Sequence, residues 1–379
     1  MNKISYANLP SPCWLLEESL LTKNLELLKY IQEQSGSKVL LALKGYALWK
    51  SFDIIKPYMN GCCASGLYEA KLAHETFAKE VHTYSPAFKE EEMEEIAKIS
   101  HHLVFNSPEQ FKYFSKKAKN INSDISLGLR INPEYSASPK EIYNPCGLNS
   151  RLGTTINNFD ETVLADCDGL HFHALCEQDS DALESVLKNF EDKFDKYILQ
   201  MKWVNFGGGH HITRKDYDVE KLISLIKDFK NKYNVEVYLE PGEAVGWETG
   251  TLIATVLDIV HNGMDIAILD TSAEAHMPDT IIMPYRAEVH DAGVAGEKKY
   301  TYRLAGNTCL AGDIMGDYSF NSPLQIGDKV IFEDQMHYTM VKATTFNGIK
   351  LPSIAIQRLN GEIEVIREFG YEDFKARLS

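Results

Sequence analysis

The chain has 379 residues, of which 44% are hydrophobic, so it can bury a large core, and its length favours two domains. Its 39 basic and 54 acidic residues give a formal net charge of −15, which argues against nucleic acid or a membrane surface as a partner and is compatible with a cationic ligand. There is no apolar stretch of membrane-spanning length, no signal-peptide pattern and no framework spacing among the seven cysteines, which together predict a cytoplasmic protein.

Short apolar runs that alternate with helical patterns occupy the first two thirds of the chain. The first run covers residues 38–43, and seven more follow at 61–65, 81–84, 102–105, 127–131, 169–173, 203–206 and 235–240. Between them, apolar residues recur at three or four positions, as at Leu183, Leu187, Phe190 and Phe194. Eight strands alternating with helices predict an α/β fold with a (β/α)8 barrel over residues 20–250.

From residue 251 onward the pattern changes to β-rich stretches without long helical periodicity. The clearest of these are 251–260, 300–304, 329–332 and 338–341. They predict a second, all-β domain over 251–379, to which the N-terminal residues 1–19 contribute a strand near 11–16.

Lys44 follows the first predicted strand and Glu240 ends the eighth, so both fall at the C-terminal ends of the strands, where such barrels carry their chemistry. Each alone is compatible with a solvated rim charge or a rim salt bridge. Together they point to a pyridoxal cofactor, which needs a lysine amine for an imine and an acid beside its ring nitrogen when it acts as a strong electron sink.

Two further motifs fall at strand ends, and each leaves alternatives open. Consecutive glycine amides at 207–209 converge on an anion or form a plain tight turn. The side chains of His171 and His173 would point the same way along an extended chain. They could be metal ligands or core histidines, or one ring could lie against a flat cofactor. The other ligands of a catalytic zinc site are not evident, so no metal is expected.

Seven motifs occur in a fixed order along nearly the whole chain: 42–44 (Ala-Leu-Lys), 150–153 (Ser-Arg-Leu-Gly), 171–173 (His-Phe-His), 207–209 (Gly-Gly-Gly), 240–242 (Glu-Pro-Gly), 309–313 (Cys-Leu-Ala-Gly-Asp), and Tyr338 with 346–348 (Phe-Asn-Gly). In this combination the chain resembles the alanine-racemase-fold family of pyridoxal-phosphate decarboxylases, which includes ornithine and diaminopimelate decarboxylases.

The resemblance implies a role for each matching residue. Lys44 would hold pyridoxal 5'-phosphate covalently, His173 would stack on its ring, and Glu240 would pair with the ring nitrogen. The phosphate would be held by Gly207, Gly208, Gly209 and Tyr338. Cys309 would reach from a second subunit to protonate the carbanion after carbon dioxide leaves, with Arg151 and Asp313 at the same interface, so the active site would require a homodimer.

Two departures from the family bear on the substrate. Glu243 stands where the family commonly has a phosphate-binding arginine, and Leu310 replaces an acidic residue that binds the distal amine of related substrates. The segment 270–279 resembles the corresponding part of carboxypolyamine decarboxylases, although acid-rich loops are usually only solvated. An elongated cationic substrate needs spaced anions, and the candidates are Glu243, Glu274, Asp279 and Asp313.

The resemblance therefore implies decarboxylation of carboxynorspermidine or carboxyspermidine in polyamine biosynthesis. These substrates differ by one methylene, so the sequence does not rank them. Within the class, a diaminopimelate or other basic amino-acid decarboxylase is the alternative. From other classes, a metal-dependent barrel hydrolase leaves Lys44 and Glu240 without roles, and a non-catalytic pyridoxal-phosphate carrier has no use for Cys309.

Overall fold

The computed structural model of the protein describes residues 6–138 and 140–379. Its backbone forms two units: Lys23–Val245 is one, and the chain up to Thr22 together with Gly246–Ser379 is the other. Within the described ranges, no helix is both long enough and apolar enough to cross a membrane.

The unit Lys23–Val245 contains a closed barrel of eight parallel strands. The chain enters it from strand β1 (Cys13–Glu17), which belongs to the other unit, through helix α1 (Glu18–Ser35). Each barrel strand pairs with the next in sequence and the last pairs with the first, so the predicted (β/α)8 barrel is confirmed. The barrel strands lie within two residues of the predicted runs: β2 (Lys38–Ala42), β3 (Gly61–Ala64), β4 (Glu80–Tyr84), β5 (His102–Phe105), β6 (Ser126–Arg130), β7 (Gly169–His171), β8 (Trp203–Asn205) and β9 (Glu236–Leu239). The α-helices between and after them are α2 (Phe52–Ile55), α3 (Leu67–Leu72), α4 (Met93–Ile99), α5 (Pro108–Ile121), α6 (Ser180–Ile198), α7 (Val219–Tyr233) and α8 (Glu243–Gly246).

The indole of Trp203, at the start of β8, fills the barrel interior near the N-terminal ends of the strands. It needs glycine on the neighbouring strands, because a Cβ added at Gly169 would lie 2.1 Å from its ring and one at Gly128 would lie 2.4 Å from it. The indole N–H donates to Ser126 Oγ at 2.8 Å, and the ring packs in a buried cluster with Tyr238. The barrel is therefore a packed core at this end and not a pore.

Two phenylalanines determine which side chains face inward near the C-terminal ends of the strands. Phe172 packs on Phe190 of α6 with ring centroids 5.1 Å apart, and Phe206 packs on Phe229 of α7 at 5.0 Å. Because side chains alternate along an extended chain, the neighbours of these outward-facing rings turn toward the barrel axis. The residues turned inward in this way are His171, His173 and Asn205.

The unit that includes Gly246–Ser379 is built on a mixed sheet. Its strands, besides β1, are β10 (Gly250–His261), β11 (Asp265–Leu269), β12 (Gly293–Val294), β13 (Tyr300–Ala305), β14 (Ile314–Phe320), β15 (Lys329–Phe332), β16 (Ser353–Gln357) and β17 (Ile363–Arg367). Its short helices are α9 (Ala273–His276), α10 (Asp279–Ile282), α11 (Thr339–Lys342) and α12 (Tyr371–Ala376), so the domain predicted as all-β also contains helical turns. The strand order is β12-β14-β13-β11-β10-β1-β16-β17, with β15 paired to β10. The predicted N-terminal strand is confirmed, because β1 lies between β10 and β16.

The strand predicted at 338–341 is wrong, because these residues form the start of helix α11. Tyr338 has φ 38° and ψ −51°, a positive-φ conformation that interrupts an extended chain. The Lys342 N–H then donates to the Tyr338 carbonyl at 2.9 Å, and the Lys342 ammonium pairs with Asp279. A β-prone run of four residues has too little local preference to oppose these contacts.

Candidate active site

The loop that carries Lys44 packs closely against the turn that follows Glu240. The last residue of β2 donates a backbone hydrogen bond to Pro241 O at 2.9 Å. A Cβ added at Gly45 would lie 2.9 Å from Gly242 Cα, so a side chain at Gly45 would force the two backbones apart. Because β2 and β9 are neighbours, Lys44 and Glu240 are placed at the same end of the barrel.

Lys44 lies two residues beyond β2. Its side chain is exposed to solvent, but nearby protein atoms displace part of the water around the amine. This partial desolvation lowers the pKa of Lys44, and the guanidinium of Arg130 acts in the same direction, whereas Cys63 and Glu240 raise it. A lowered pKa increases the fraction of neutral amine, which is the nucleophilic form. Lys44 therefore has the properties of an amine that attacks a carbonyl group.

Glu240 is the first residue after β9, and two inward-facing side chains contact it. Asn205 Nδ2 donates to Glu240 Oε1 at 2.7 Å, and His171 Nε2 lies 3.4 Å from Oε2. Burial raises the pKa of Glu240, but His171 and Asn205 more than offset this effect, so the pKa falls to about 2. Glu240 is thus an ionised carboxylate throughout the neutral pH range, beside an imidazole whose Nδ1 has no hydrogen-bond partner among the described residues.

His173 is held by the glycine run that follows β8. The Gly208 N–H donates to His173 Nδ1 at 2.9 Å, and burial, followed by Lys44, lowers the pKa of His173 well below its usual value. The ring is therefore neutral and carries its proton on Nε2. An uncharged ring in this position is suited to stacking on a flat cofactor.

The three glycine amides predicted to bind phosphate are not equivalent. The Gly207 N–H donates to Asn205 Oδ1 at 2.8 Å, and the Gly208 N–H is bonded to His173. Only the Gly209 N–H lacks an acceptor within the part of the chain that the structure describes. Gly207 and Gly209 have φ values of +71° and +83°, so the run is also the tight turn that the sequence left open as an alternative.

Arg130, the last residue of β6, was not among the residues predicted from the sequence. It is 5% exposed, its Nη2 donates to His173 O at 3.2 Å, and its guanidinium lies 4.6 Å from the centroid of the Tyr84 ring. The Tyr84 ring lies 5.4 Å from that of His171. The available signal was the one that identified Lys44, namely a cation at the end of an apolar strand.

Two other predicted residues lie in the barrel unit. Glu243 begins α8 directly after the turn at 240–242 and is half-buried. Arg151 is exposed, and its carbonyl accepts from Asn106 Nδ2 at 2.9 Å. The Oδ1 of Asn106 accepts from the Tyr84 hydroxyl at 2.7 Å, which ties the backbone at Arg151 to the same end of the barrel.

In the other unit, Cys309 is exposed on a loop that Asp313 holds in place. The Cys309 N–H donates to Asn347 Oδ1 at 2.6 Å. Asp313 is 3% exposed and accepts from Thr308 Oγ1 at 2.6 Å and from the Ala273 N–H at 2.7 Å, with further bonds from the start of α9 and the Thr308 N–H. This geometry favours a positioning role for Asp313 over the direct substrate contact predicted from the sequence.

Lys342 brings together Asp279 and Tyr338, two of the residues predicted to bind ligands. Its Nζ lies 2.8 and 2.7 Å from the two carboxylate oxygens of Asp279 and 5.0 Å from the centroid of the Tyr338 ring. Asp279 therefore already binds an ammonium group of the chain. Glu274, on α9, has a buried Oε2 without a hydrogen-bond partner among the described residues, and burial, with Asp313 nearby, raises its pKa.

The sequence of the chain matches a family described as pyridoxal-dependent decarboxylase, C-terminal sheet domain, over residues 51–335. The chain belongs to this family. Among pyridoxal-dependent decarboxylases, it is 57% identical over 384 aligned positions to a carboxynorspermidine/carboxyspermidine decarboxylase of Campylobacter jejuni subsp. jejuni, covering 98% of this chain and 99% of the relative. It is 44% identical over 374 positions to a carboxyaminopropylagmatine decarboxylase of Synechocystis sp., covering 98% and 96% of the two chains.

The fold is shared with a solved member of this group. A crystal structure of carboxynorspermidine decarboxylase complexed with norspermidine, from Campylobacter jejuni, superimposes with a TM-score of 0.91 at 55% identity, covering 97% of this chain and 100% of that chain. The predicted family, the pyridoxal-dependent decarboxylase activity and the barrel-plus-sheet architecture are therefore confirmed.

Proposed function

We propose that the protein uses pyridoxal 5'-phosphate to remove the α-carboxylate of carboxynorspermidine and carboxyspermidine, giving norspermidine and spermidine. The observation that carries this proposal is the pairing of an amine and an ionised carboxylate, Lys44 and Glu240, at one end of a barrel whose relatives act on carboxypolyamines.

The residues at this end of the barrel fit the cofactor. The Lys44 amine has a lowered pKa, His171 Nδ1 has no partner among the described residues, and the Gly209 N–H lacks an acceptor there. When bound, pyridoxal phosphate supplies an electron-withdrawing ring that accepts the electron pair left as the carboxyl group departs as carbon dioxide. Lys44 would hold its aldehyde carbon and Gly209 its phosphate.

The chain's own groups would then control the protons. Glu240, with a pKa of about 2, is a fixed negative charge that would favour a proton on the ring nitrogen of the bound cofactor. His173, neutral and fixed by Gly208, provides a flat face without adding charge. Cys309 would deliver a proton to the α-carbon, and the bonds of Asp313 to the preceding Thr308 hold its loop in place for this task.

The substrate class is tested by comparing purified protein with four carboxylated amines. We expect catalytic efficiencies for carboxynorspermidine and carboxyspermidine within about tenfold of each other, because one methylene is weakly discriminated. Diaminopimelate should be slower by at least about 10³-fold, since Leu310 replaces the acid that binds a distal amine in related enzymes. The 44% identical relative makes carboxyaminopropylagmatine the second candidate, and the fastest release of carbon dioxide from that substrate or from diaminopimelate would replace our assignment.

Glu243→Gln and Asp279→Asn should each raise the Michaelis constant about ten- to hundredfold, because each removes a charge-assisted hydrogen bond to a substrate ammonium group. The visible absorbance of the bound cofactor should be unchanged. The matched control is Asp317→Asn, since Asp317 is also a carboxylate in an ion pair, with Arg303 at 2.7 Å, but on β14.

Lys342→Met distinguishes substrate binding by Asp279 from a structural ion pair. It frees the carboxylate from the chain's own ammonium, so the Michaelis constant should stay the same or fall. An increase equal to that of Asp279→Asn would show that the pair only holds α10 and α11 together. Loss of cofactor absorbance in Glu243→Gln would assign Glu243 to the cofactor.

We further propose that the enzyme is a homodimer in which Cys309 of each subunit serves the barrel of its partner. Mixing Lys44→Ala and Cys309→Ala subunits should restore roughly a quarter of wild-type activity, because half of the dimers are hybrids and each hybrid has one intact site. Mixing Lys44→Ala with Glu240→Gln, two changes in the barrel unit, is the control and should restore none. Absence of recovery after demonstrated subunit exchange would contradict a shared site.

A further inference from the structure

A second group of ionisable side chains lies at the opposite end of the barrel from Lys44. Glu80 and His82 are on the first half of β4, and His102 is the first residue of β5. Each of the three residues has one atom able to bind a metal, a histidine nitrogen or a carboxylate oxygen, and these three atoms lie within 4.8 Å of one another. Neither the cofactor nor the proposed substrate gives these residues a role.

The two imidazoles are enclosed and incompletely hydrogen-bonded. Their rings stack with centroids 3.8 Å apart, His82 is 2% exposed, and the rings of Tyr238 and Trp203 lie 4.7 and 4.8 Å away. The Nδ1 atoms of His82 and His102 are both buried without a hydrogen-bond partner among the described residues. Such atoms are costly unless they meet a donor or a cation.

The donor atoms suit a metal ion. His82 and His102 each offer an imidazole nitrogen and Glu80 offers a carboxylate oxygen, and one such atom from each lies within 4.8 Å of the other two. Two neutral imidazoles and one carboxylate are a frequent donor set for zinc and related ions.

We propose that Glu80, His82 and His102 bind one divalent transition-metal ion, of the zinc or cobalt type, at the N-terminal end of the barrel. The end of such a barrel away from the chemistry serves stability, so the ion is a structural one. It would join β4 to β5 through side chains in addition to their backbone pairing.

Two of the three ligands already lie at chelating distance, whereas the third must move. His82 Nε2 and Glu80 Oε2 are 3.1 Å apart, and with metal bonds of about 2.0 to 2.2 Å this spacing gives an angle of roughly 95° at the metal; binding there would replace their hydrogen bond and shift the His82 ring proton to Nδ1. His102 is stacked on His82 with an interplanar angle of 14°, so its ring must rotate out of the stack to aim a nitrogen at the ion, and it is only partly buried at the start of its strand. The Glu80 side chain is 28% exposed, which gives the ion a path from solvent.

Lys38 opposes binding and therefore provides a test in the opposite direction. Its Nζ lies 3.3 Å from Glu80 Oε1 and 3.2 Å from the Tyr238 hydroxyl, so its ammonium repels a cation held at Oε2. Removing this charge should strengthen metal binding while leaving all three ligands in place.

The experiment titrates zinc chloride, and separately cobalt chloride, into tag-free holoenzyme by calorimetry, with visible absorption of cobalt as the second readout. We expect one ion per chain and a higher melting temperature. Glu80→Gln and His102→Gln should each weaken binding at least about tenfold, whereas Lys38→Gln should tighten it. Decarboxylase activity with the cofactor bound should change little in any of the three.

Two controls separate this site from surface binding. His290→Gln removes an exposed histidine that lies 2.9 Å from Glu333, and Cys309→Ala removes the exposed thiol. Neither should alter the stoichiometry or affinity. Absence of binding to wild-type protein, or unchanged affinity in Glu80→Gln and His102→Gln, would overturn the proposal; if those variants do not fold, unchanged affinity in Lys38→Gln would do so.

Discussion

Lys44→Ala should abolish decarboxylation, with a fall in turnover of at least about 10³-fold, because it removes the amine that would bind the cofactor aldehyde. The visible absorbance of the purified enzyme should be lost at the same time. In wild-type protein, borohydride reduction followed by peptide mass analysis should place the cofactor on Lys44. The lowered pKa of this amine and its position beside the 240–242 turn are the structural reasons for this expectation.

Lys50→Ala is the matched control for this change. Lys50 is an exposed lysine six residues further along, with its Nζ 4.3 Å from the centroid of the Trp49 ring. Its replacement should leave both the absorbance and the turnover unchanged. Covalent labelling at any lysine other than Lys44 would remove the basis of the assignment.

Glu240→Gln should lower turnover by about 10²-fold or more while leaving cofactor on the enzyme, because a fixed charge that stabilises the reacting centre is replaced by a neutral amide. Gln retains an oxygen that can accept the 2.7 Å bond from Asn205, so the local fold should be kept. The pKa of Glu240, at about 2, means that wild-type activity should show no titration of this group on the acid side. The Michaelis constant should change much less than turnover.

Glu236→Gln provides the comparison for Glu240. Glu236 begins β9, the strand that Glu240 follows, at the other end of the barrel, and pairs with Lys230 at 3.4 Å. Its replacement should not affect turnover. Equal losses in the two variants would mean that a glutamate on β9 matters for folding and not for the electronics of the cofactor.

The barrel was predictable because its signals are local. Short apolar runs separated by helical spacing identified all eight strands, and the outward packing of Phe172 and Phe206 then follows from alternation along the strands. The helix at 339–342 was not predictable in this way, because it depends on the backbone turn at Tyr338 and on an ion pair with Asp279, 63 residues away.

The candidate site was predictable only in part for the same reason. Lys44 and Glu240 were found because each is a charge at the end of an apolar run. Arg130 has that signal too, but its importance becomes evident only through its hydrogen bond to the carbonyl of His173. A glycine triplet does not reveal that the Gly207 and Gly208 N–H groups donate hydrogen bonds to the side chains of Asn205 and His173, because these bonds depend on how the chain folds around them.

The indole that fills one end of the barrel has a consequence for traffic through the enzyme. Trp203, seated against Gly128 and Gly169, occupies the barrel axis at that end among the described residues. Under the proposed function, the amine substrate would therefore arrive, and both products would depart, at the mouth where Lys44 lies. Carbon dioxide and the amine product would then share this one mouth, and the gas, which carries no charge for the protein to hold, would be free to leave first.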